Sequence, residues 1–275
     1  MAIPRVLSIA GSDSGGGAGI QADLKAFARC RVHGMTAITA ITAQNTVEVR
    51  GVAAIAPDMI RAQVAAVAED IGVDAVKVGM LGSVATIEAV AQAIGELPDG
   101  TPVVVDPVMV SESGGRLLEA EAETALRERI LPLASVVTPN VAEARVLARE
   151  AASDTPLDEA GAEALVRAIH AFGPGAVVLT GGHRETVTDL LFDGRTLTAI
   201  PGERFPGGAA HGSGCTHSSV LAARLAHGDT LLEAARVARR IAGEAVRDGL
   251  REIGHGAGPV DVLGLTRRPD DPPLS

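Results

Sequence analysis

The chain has 275 residues, 47% of them hydrophobic, and a formal net charge of −10 at pH 7. Because binding to a phosphate backbone needs clustered cations, this charge argues against a nucleic-acid partner. The sequence contains no Trp, no Tyr and only four Phe, so it also lacks the aromatic rings on which bases stack. No segment approaches the roughly 18 consecutive apolar residues of a membrane span, and the first residues do not match a signal peptide. We therefore expect a cytoplasmic protein without a membrane segment.

Short apolar runs bounded by Gly, Pro or Asp alternate with longer segments in which apolar residues recur at the helical period. Near-continuous β-branched composition is typical of strands in a sheet that is covered on both faces. Such runs predict buried strands at residues 6–10, 36–42, 75–78, 103–105, 135–137 and 176–179. Helices are predicted between them, at residues 20–31, 57–70, 84–96, 120–130, 141–151 and 157–172. This alternation indicates an α/β fold of three layers, in which a central, mostly parallel sheet is flanked by helices.

The alternation changes near residues 186–200, where Asp193-Gly194 separates two apolar runs and predicts a β-hairpin. Two Ala-rich helices follow, at residues 214–226 and 231–250. No linker divides the sequence, so we expect a single domain over residues 1–265. The last residues, 266–275, are rich in Pro and in charge, and we expect them to form a disordered tail.

A glycine-rich segment, residues 11–23, directly follows the first predicted strand and runs into a helix. Glycines at such a position let a ligand approach the backbone closely, although they also suit a merely tight turn. No Gly-Lys-Ser/Thr follows, so the segment is not a P-loop. Part of it loosely matches the dinucleotide fingerprint, but the acidic residue that would hold a ribose about 20 positions later is missing. An NAD-dependent oxidoreductase stays open as an alternative from another class.

A second glycine-rich segment, residues 211–217, opens one of the Ala-rich helices. The unpaired amides at a helix start form a natural binding site for an anion. Cys215 falls in this first turn, where the helix field is expected to lower the thiol pKa and to favour a thiolate that serves as a base or a polarising group. The alternative for Cys215 is a small buried hydrophobe, which is also our expectation for Cys30. The two cysteines lie too far apart in sequence to indicate a disulfide framework or a Cys-based zinc site.

Polar side chains follow several predicted strands. Asp106 ends one strand, and Asn140 and Glu143 follow the next. Their oxygens would suit Mg²⁺, although Asn140 and Glu143 would equally suit a capping box at a helix start. Gln44 follows another strand and would either hydrogen-bond a heteroaromatic ring or belong to an ordinary loop.

Taken together and in order, these segments resemble the hydroxymethylpyrimidine/phosphomethylpyrimidine kinases of thiamine biosynthesis. The resemblance covers about residues 3–262 and rests on IAGSDSGGGAGIQADLK, TAQNT, VGML, VDPVMV, VTPNVAEA, GGH and HGSGCT. It implies a ribokinase-like fold and an enzyme that phosphorylates 4-amino-5-hydroxymethyl-2-methylpyrimidine with ATP and then phosphorylates the monophosphate to the diphosphate. It also implies ATP and Mg²⁺ as cofactors, and a homodimer.

The resemblance assigns roles to individual residues. The pyrimidine would be bound by Gly11, Asp23, Gln44, Met80 and Val108. Cys215 would act as general base, and the amides of Gly212, Ser213, Gly214 and Cys215 would form an anion hole. Mg²⁺ would be supported by Asp106 and Glu143, and the nucleotide would be held near Asn140, Thr180 and Gly182.

The sequence departs from the family pattern at two positions that matter. Thr180 stands where the family often has a phosphate-directed Lys; Arg184 would compensate from another angle or be a solvated surface residue. His217 stands where an apolar residue is more usual, and we expect it on the helix surface. The nearest alternative function is that of a pyridoxal/pyridoxine kinase, whose substrate also carries a hydroxymethyl group on an aza-aromatic ring. A non-catalytic pyrimidine-binding module is a further alternative.

Overall fold

One nine-stranded sheet runs through the computed structural model, which describes residues 2–111, 114–150, 157–181 and 187–266. Its strands are β1 (Arg5–Asp13), β2 (His33–Gln44), β3 (Val49–Ala54), β4 (Ala75–Val78), β5 (Val103–Val105), β6 (Val136–Val137), β7 (Val177–Leu179), β8 (Thr188–Phe192) and β9 (Leu197–Pro201). The spatial order is β3-β2-β1-β4-β5-β6-β7-β8-β9. Strands β2, β1, β4, β5, β6 and β7 are parallel, while β3, β8 and β9 pair antiparallel at the two edges. The predicted mostly parallel sheet is confirmed.

Helices cover both faces of this sheet. They are α1 (Gly19–Arg29), α2 (Pro57–Asp70), α3 (Val84–Gly95), α4 (Ala120–Ala125), α5 (Val141–Leu147), α6 (Glu159–His170), α7 (Ser213–Ala226) and α8 (Leu231–Arg247). A π-helical turn and a 3₁₀ turn, Leu126–Ile130 and Leu131–Leu133, continue α4. One apolar cluster packs α2 to α6 on one face, and a second, richer in Ala, packs α1, α7 and α8 on the other. Successive residues of one strand, such as Val6 and Leu7, join opposite clusters, as the alternation of a strand requires. The predicted three layers are confirmed.

The predicted hairpin is confirmed as the β8–β9 pair. The Asp193 carboxylate accepts hydrogen bonds from the amides of Arg195 and Thr196 at 2.9 and 2.7 Å, and Gly194 has a φ of +87°. A left-handed residue of this kind is what a two-residue hairpin turn requires, which is why the Asp-Gly signal was informative.

Two parts of the chain, strand β3 and the tail, were not confirmed as predictions from the sequence. Residues 49–54 form β3, which was not predicted; Asn45 starts the turn before it by accepting hydrogen bonds from the amides of Val47 and Glu48. The proposed disordered tail lies outside the described residues, except for Thr266. In the described part of the chain, no helix is both long and apolar enough to cross a membrane.

Candidate active site

A cavity of about 380 Å³ lies at the edge of the sheet where the parallel strands end. This position follows from the fold, because loops that leave the carboxyl ends of neighbouring parallel strands meet at one edge. Twelve of the predicted site residues line the cavity: Gly11, Gln44, Met80, Asp106, Val108, Asn140, Glu143, Thr180, Gly212, Ser213, Gly214 and Cys215. Asp23 does not line it, and Gly182 and Arg184 lie outside the described residues.

Asp13 joins the two glycine-rich segments. Its carboxylate accepts hydrogen bonds from the amides of Gly15, Gly17 and Ala18 at 2.8 to 2.9 Å, and it lies 3.3 Å from Nε2 of His211. Burial by itself would raise the pKa of the Asp13 carboxyl, but the hydrogen bonds from His211 and from the backbone hold that pKa below its ordinary value. Asp13 is therefore an anion that fixes the glycine loop against the start of α7. Sequence reasoning missed both Asp13 and His211.

The close contact between these two loops explains two of their glycines. Gly212 has a φ of +85°, and a Cβ there would collide with the carbonyl oxygen of Gly17. A Cβ on Gly17 would in turn collide with the ring of His211. Neither position therefore has room for a side chain, and Gly212 also needs the left-handed conformation.

The predicted anion hole falls at the start of α7. Gly212 is the N-cap, and the first-turn amides of a helix have no intrahelical acceptor. The Ser213 amide nevertheless donates to the carbonyl oxygen of Ala210 at 3.0 Å, so this amide is already engaged. The Ser213 amide is therefore not free as expected, which leaves the amides of Gly212, Gly214 and Cys215 as candidates for the predicted anion hole.

Burial raises the pKa of the Cys215 thiol to about 12. The positive charge of Lys77 and an amide hydrogen bond from Gly19 act in the opposite direction, but desolvation and the carboxylates of Asp106 and Asp23 outweigh them. Cys215 is half-buried and faces the cavity, yet it is surrounded by enough protein for desolvation to dominate. The expectation of a lowered pKa and a resting thiolate is therefore wrong, because desolvation dominates the pKa of this thiol.

Asp23 is a buried partner of Lys77 rather than part of the cavity wall. Its carboxylate accepts hydrogen bonds from Lys77 Nζ at 2.8 Å, from Ser8 Oγ at 2.6 Å and from Ser219 Oγ at 2.7 Å. With three partners and no exposed surface, Asp23 has no access to a ligand in the cavity. This corrects the expectation that Asp23 lies beside the pyrimidine.

Lys77 is a fully buried cation that does line the cavity. Its Nζ lies 4.0 Å from Oδ2 of Asp106. Burial tends to lower the pKa of Lys77, but the negative groups around it, Asp23 first, raise that pKa above its ordinary value, so Lys77 stays charged. Sequence reasoning missed Lys77, although a single charge inside the apolar run AVKV was a signal that could have found it.

Asp106 and Glu143 are buried carboxyl groups that face the same cavity. Burial, and then the charge of Asp106, raises the pKa of Glu143 to about 8. Burial likewise raises the pKa of Asp106, with Lys77 and the hydroxyl of Ser218 opposing the change. Two buried carboxyl groups that resist ionisation together suit a divalent cation. Its charge would offset both the desolvation of the carboxylates and their mutual repulsion. They fit Mg²⁺, which is commonly held by one or two carboxylates together with substrate phosphates and water.

Asn140 and Glu143 also form the capping box that the sequence allowed. Asn140 Oδ1 accepts from the Glu143 amide at 3.0 Å, and Glu143 Oε2 accepts from the Asn140 amide at 2.9 Å. The capping role fixes the position of the Glu143 carboxyl group at the cavity wall. The Glu143 carboxyl group also accepts a hydrogen bond from the backbone amide of Met109.

The opposite end of the cavity is an apolar slot beside α8. Its wall includes Val187, Phe205, Ala242, Gly243 and Val246. A Cβ built on Gly243 would meet only the ring edge of Phe205, at 3.6 Å, so the glycine leaves open space. An apolar lining of this kind suits a flat heterocycle such as a nucleobase.

His217 and Asp189 lie next to this slot. His217 is buried, and its Nε2 lies 3.1 Å from Oδ2 of Asp189. Asp189 Oδ1 accepts from the Gly181 amide at 2.8 Å. Burial would raise the pKa of Asp189, but the hydrogen bond and charge of His217, the charge of Arg239 and the Gly181 amide hold that pKa below its ordinary value. The expectation of His217 on the helix surface is therefore wrong, because its ring is buried and pairs with Asp189 of β8.

Catalysis of phosphoryl transfer depends mainly on positioning the two substrates and on stabilising the developing negative charge. This cavity provides amides at a helix start, a buried lysine and two carboxyl groups between an apolar slot and a second pocket, all at the carboxyl edge of an α/β sheet. These features define a small-molecule kinase.

Comparison with known proteins also indicates a small-molecule kinase. The profile of a family described as phosphomethylpyrimidine kinase matches residues 13–261. A hydroxymethylpyrimidine/phosphomethylpyrimidine kinase of Rhizobium meliloti is 48% identical over 257 residues, which are 92% of this chain and 95% of the relative. The chain belongs to the phosphomethylpyrimidine kinase family.

Two solved structures are similar along most of their length. An ADP complex of Bacillus subtilis pyridoxal kinase has a TM-score of 0.86 and 39% identity, covering 97% of this chain and 100% of that one. A phosphomethylpyrimidine kinase from Clostridium difficile has a TM-score of 0.77 and 36% identity, covering 89% and 100%. The predicted ribokinase-like fold, the phosphotransferase class and the function in thiamine biosynthesis are confirmed, and the NAD-dependent oxidoreductase is set aside.

Proposed function

We propose that this enzyme transfers the γ-phosphoryl group of ATP to the hydroxyl of 4-amino-5-hydroxymethyl-2-methylpyrimidine, and then a second one to the resulting monophosphate. The observation that carries the proposal is the position of the anion hole at Gly214 and Cys215, between the apolar slot beside α8 and the pocket formed by Gly11, Met80 and Gln44. A nucleotide in the slot and a pyrimidine in the pocket would place donor and acceptor on either side of the amides.

The pyrimidine pocket is built for a small ring without aromatic stacking. A Cβ on Gly11 would lie 3.0 Å from Sδ of Met80, so the glycine keeps the pocket open. Val108 completes the aliphatic wall, in a chain that has no Trp and no Tyr. Gln44 would orient the ring by hydrogen bonding. Its backbone is held by Ser14, whose hydroxyl donates to the Gln44 backbone carbonyl oxygen at 2.8 Å and accepts from the Gln44 backbone N–H at 2.9 Å. This fixed backbone presents a side-chain amide that both donates and accepts, as the aminopyrimidine edge requires.

In the reaction, the substrate hydroxyl oxygen forms the new bond to the γ-phosphorus while the bond to the bridging oxygen of ATP breaks, releasing ADP. The amides of Gly214 and Cys215 stabilise the charge on the transferred group, and Lys77 adds a buried positive charge behind them. The Cys215 thiol holds its own proton, so we assign Cys215 to the anion hole. The hydroxyl proton passes to a phosphoryl oxygen as the new bond forms, which suits a loose transition state. Mg²⁺ held by Asp106 and Glu143 would neutralise charge on the nucleotide phosphates, near Asn140 and Thr180.

Gly11 offers a sharp test. Gly11→Ala adds the Cβ that meets Met80 and should raise KM for the pyrimidine about tenfold or more, while KM for ATP changes less than twofold. Gly95→Ala is the matched control, because nothing lies within 4 Å of a Cβ at that helical position. Both constants come from ADP release coupled to NADH oxidation. If both KM values rise together in Gly11→Ala, or neither does, the pyrimidine does not bind beside Met80.

Pyridoxal is the second candidate acceptor, favoured by the structural similarity to the Bacillus subtilis pyridoxal kinase. It too presents a hydroxymethyl group on a nitrogen-containing ring, and the aliphatic wall of the pocket does not discriminate against it. We expect turnover of pyridoxal below that of the pyrimidine. A pyridoxal kcat/KM that exceeds the pyrimidine value would reverse the order of the two functions.

We further propose a homodimer that forms along strand β3. This edge strand is almost entirely exposed and its outer backbone groups have no strand partner in the described residues. Val47 and Val52 beside this edge are 54% and 51% exposed, an arrangement that monomers normally blunt with charge. Light scattering after size exclusion should give twice the 27.9 kDa chain mass, and Val52→Lys should shift the protein toward monomer. A monomeric wild type would contradict this proposal.

We also propose that residues 1–265 act as one kinase domain in the cytoplasm. One continuous sheet and a cavity lined from Ala10 to Val246 support the single domain, and two unpaired cysteines suit a reducing compartment. Recovery of the expressed protein from the membrane or external fraction would contradict the location, and two separate unfolding transitions would contradict the single domain.

A further inference from the structure

We propose that Arg239 binds a phosphate group of the nucleotide, a role that rests on the proposed placement of ATP in the slot beside α8. Arg239 lies on α8 one turn before Ala242 and Gly243, which form the wall of that slot. On its other side lies Asp189, whose carboxylate also holds the Gly181 amide. Arg239 therefore stands between the slot for the base and the loop end at Thr180 and Gly181, where the sugar and phosphates of a nucleotide would pass.

The guanidinium of Arg239 is poorly satisfied by the protein. Its side chain is only 13% exposed, yet its one hydrogen bond is a long one of 3.4 Å from Nη2 to the carbonyl oxygen of Val187. Its Nε lies 3.8 Å from Asp189 Oδ1 and is buried without an acceptor, and Nη1 has none among the residues that the structure describes. What distinguishes Arg239 is its place in the cavity wall, where Nη1 is open to a ligand that brings its own acceptors.

The surroundings of Arg239 hold it in this position. A Cβ on Gly202 would collide with Nε and Nη2 of Arg239, so this edge of the guanidinium abuts the backbone of a residue that has no room for a side chain. Asp189 is the counter-charge on the opposite side. A guanidinium pinned in this way leaves the two hydrogens of Nη1 to donate to phosphate oxygens from a fixed position, which a flexible lysine would not do as well.

The other cations at the cavity are less suited to this role. Lys77 is bonded to Asp23 beneath the anion hole, and Arg204 lies on an exposed loop. Arg239 thus supplies a positive charge at the nucleotide end of the cavity. Thr180, which stands where the family often has a Lys, offers only a hydroxyl that already donates to the carbonyl oxygen of Pro139 at 3.3 Å.

The test compares the binding of ADP with that of adenosine by isothermal titration calorimetry. Arg239→Gln should weaken ADP binding about ten- to a hundredfold, the usual range for a lost charge-assisted hydrogen bond, and change adenosine binding less than twofold. Arg239→Lys should restore part of the ADP affinity. Arg236→Gln, an exposed arginine on the same helix, is the control and should change neither. Melting temperatures of all variants separate a binding effect from a loss of fold.

Two results would overturn the role of Arg239: unchanged ADP binding in Arg239→Gln, or an equal loss for adenosine. Gly243→Leu separates this failure from failure of the slot assignment, because it fills the open space beside Phe205 without straining the helix and should weaken both ligands. If Gly243→Leu leaves both affinities unchanged, the nucleotide binds elsewhere and the placement itself is wrong.

Discussion

Replacing Lys77 by methionine would remove the one cation of the buried cluster and leave the Asp23 carboxylate with only its two serine donors. Both side chains of the pair are 0% exposed and their charged atoms are 2.8 Å apart, so solvent does not screen the loss. Breaking a buried ion pair from one side costs about 3–5 kcal/mol of unfolding free energy, because it strands the other charge. The same buried charge lies 4.0 Å from Asp106, where the attraction at an effective dielectric constant of about 20 is about 4 kcal/mol. We therefore expect lower stability and also a lower kcat.

Urea unfolding followed by circular dichroism measures the first effect. Lys77→Met and Asp23→Asn should each lose about 3–5 kcal/mol, whereas the double variant should lose clearly less than the sum, because both substitutions break the same ion pair and neither partner of it is then left stranded. Lys25→Met is the matched control: it removes the only other lysine, whose Nζ donates to the Gly16 carbonyl oxygen at 2.7 Å, and it should cost about 1 kcal/mol. A loss below 1 kcal/mol in Lys77→Met, or a double variant as unstable as the sum, would refute the reasoning.

The remaining predictions concern the groups that face the reacting phosphates. The folded ligand-free protein keeps a proton on Glu143 up to about pH 8 while the unfolded chain loses it near pH 4.5, so unfolding free energy should fall by about 1.4 kcal/mol per pH unit between these values. Glu143→Gln should remove that part of the slope in urea titrations; an unchanged slope would contradict the raised pKa. Cys215→Ala keeps the backbone amide and should lower kcat about tenfold or less, with the acidic limb of the wild-type pH–rate profile unchanged; a loss of about 10²-fold or more together with loss of that limb would instead identify a general base. Gln44→Ala should raise KM for the pyrimidine with little change in kcat, and steady-state kinetics that show the reverse would place ring recognition elsewhere.

Periodicity was sufficient to predict most of the fold, because the parallel strands are buried on both faces and nearly uniformly apolar. The β8–β9 hairpin was equally accessible, since Asp193-Gly194 has a local turn preference of its own. Strand β3 escaped because its sequence, VRGVAA, has neither a buried face nor an alternating pattern, and its only partner is β2. A strand of this kind is defined by its neighbour rather than by its own residues.

The candidate site likewise has features that the sequence could predict and features that it could not. Gly11, Met80, Asp106 and Cys215 follow strands or start helices, so their convergence on one cavity could be predicted from the topology. The ionisation of Cys215 could not, because a sequence gives the helix field but not the desolvation or the carboxylates brought close by folding.

Pairs of polar residues that lie far apart in the sequence could not be predicted either. Lys77 meets Asp23 across 54 positions, and His217 meets Asp189 across 28. The residues of these pairs can be seen in the sequence, but only folding brings Lys77 of β4 to Asp23 of α1, and His217 of α7 to Asp189 of β8.

The most direct test of the central claim is mass spectrometry of the products formed from 4-amino-5-hydroxymethyl-2-methylpyrimidine with ATP and Mg²⁺. We predict that a monophosphate accumulates first and then converts to the diphosphate, with one ADP released per phosphoryl group and no product when Mg²⁺ is chelated. No phosphorylated pyrimidine at any enzyme concentration, in a preparation that binds ADP, would contradict the account.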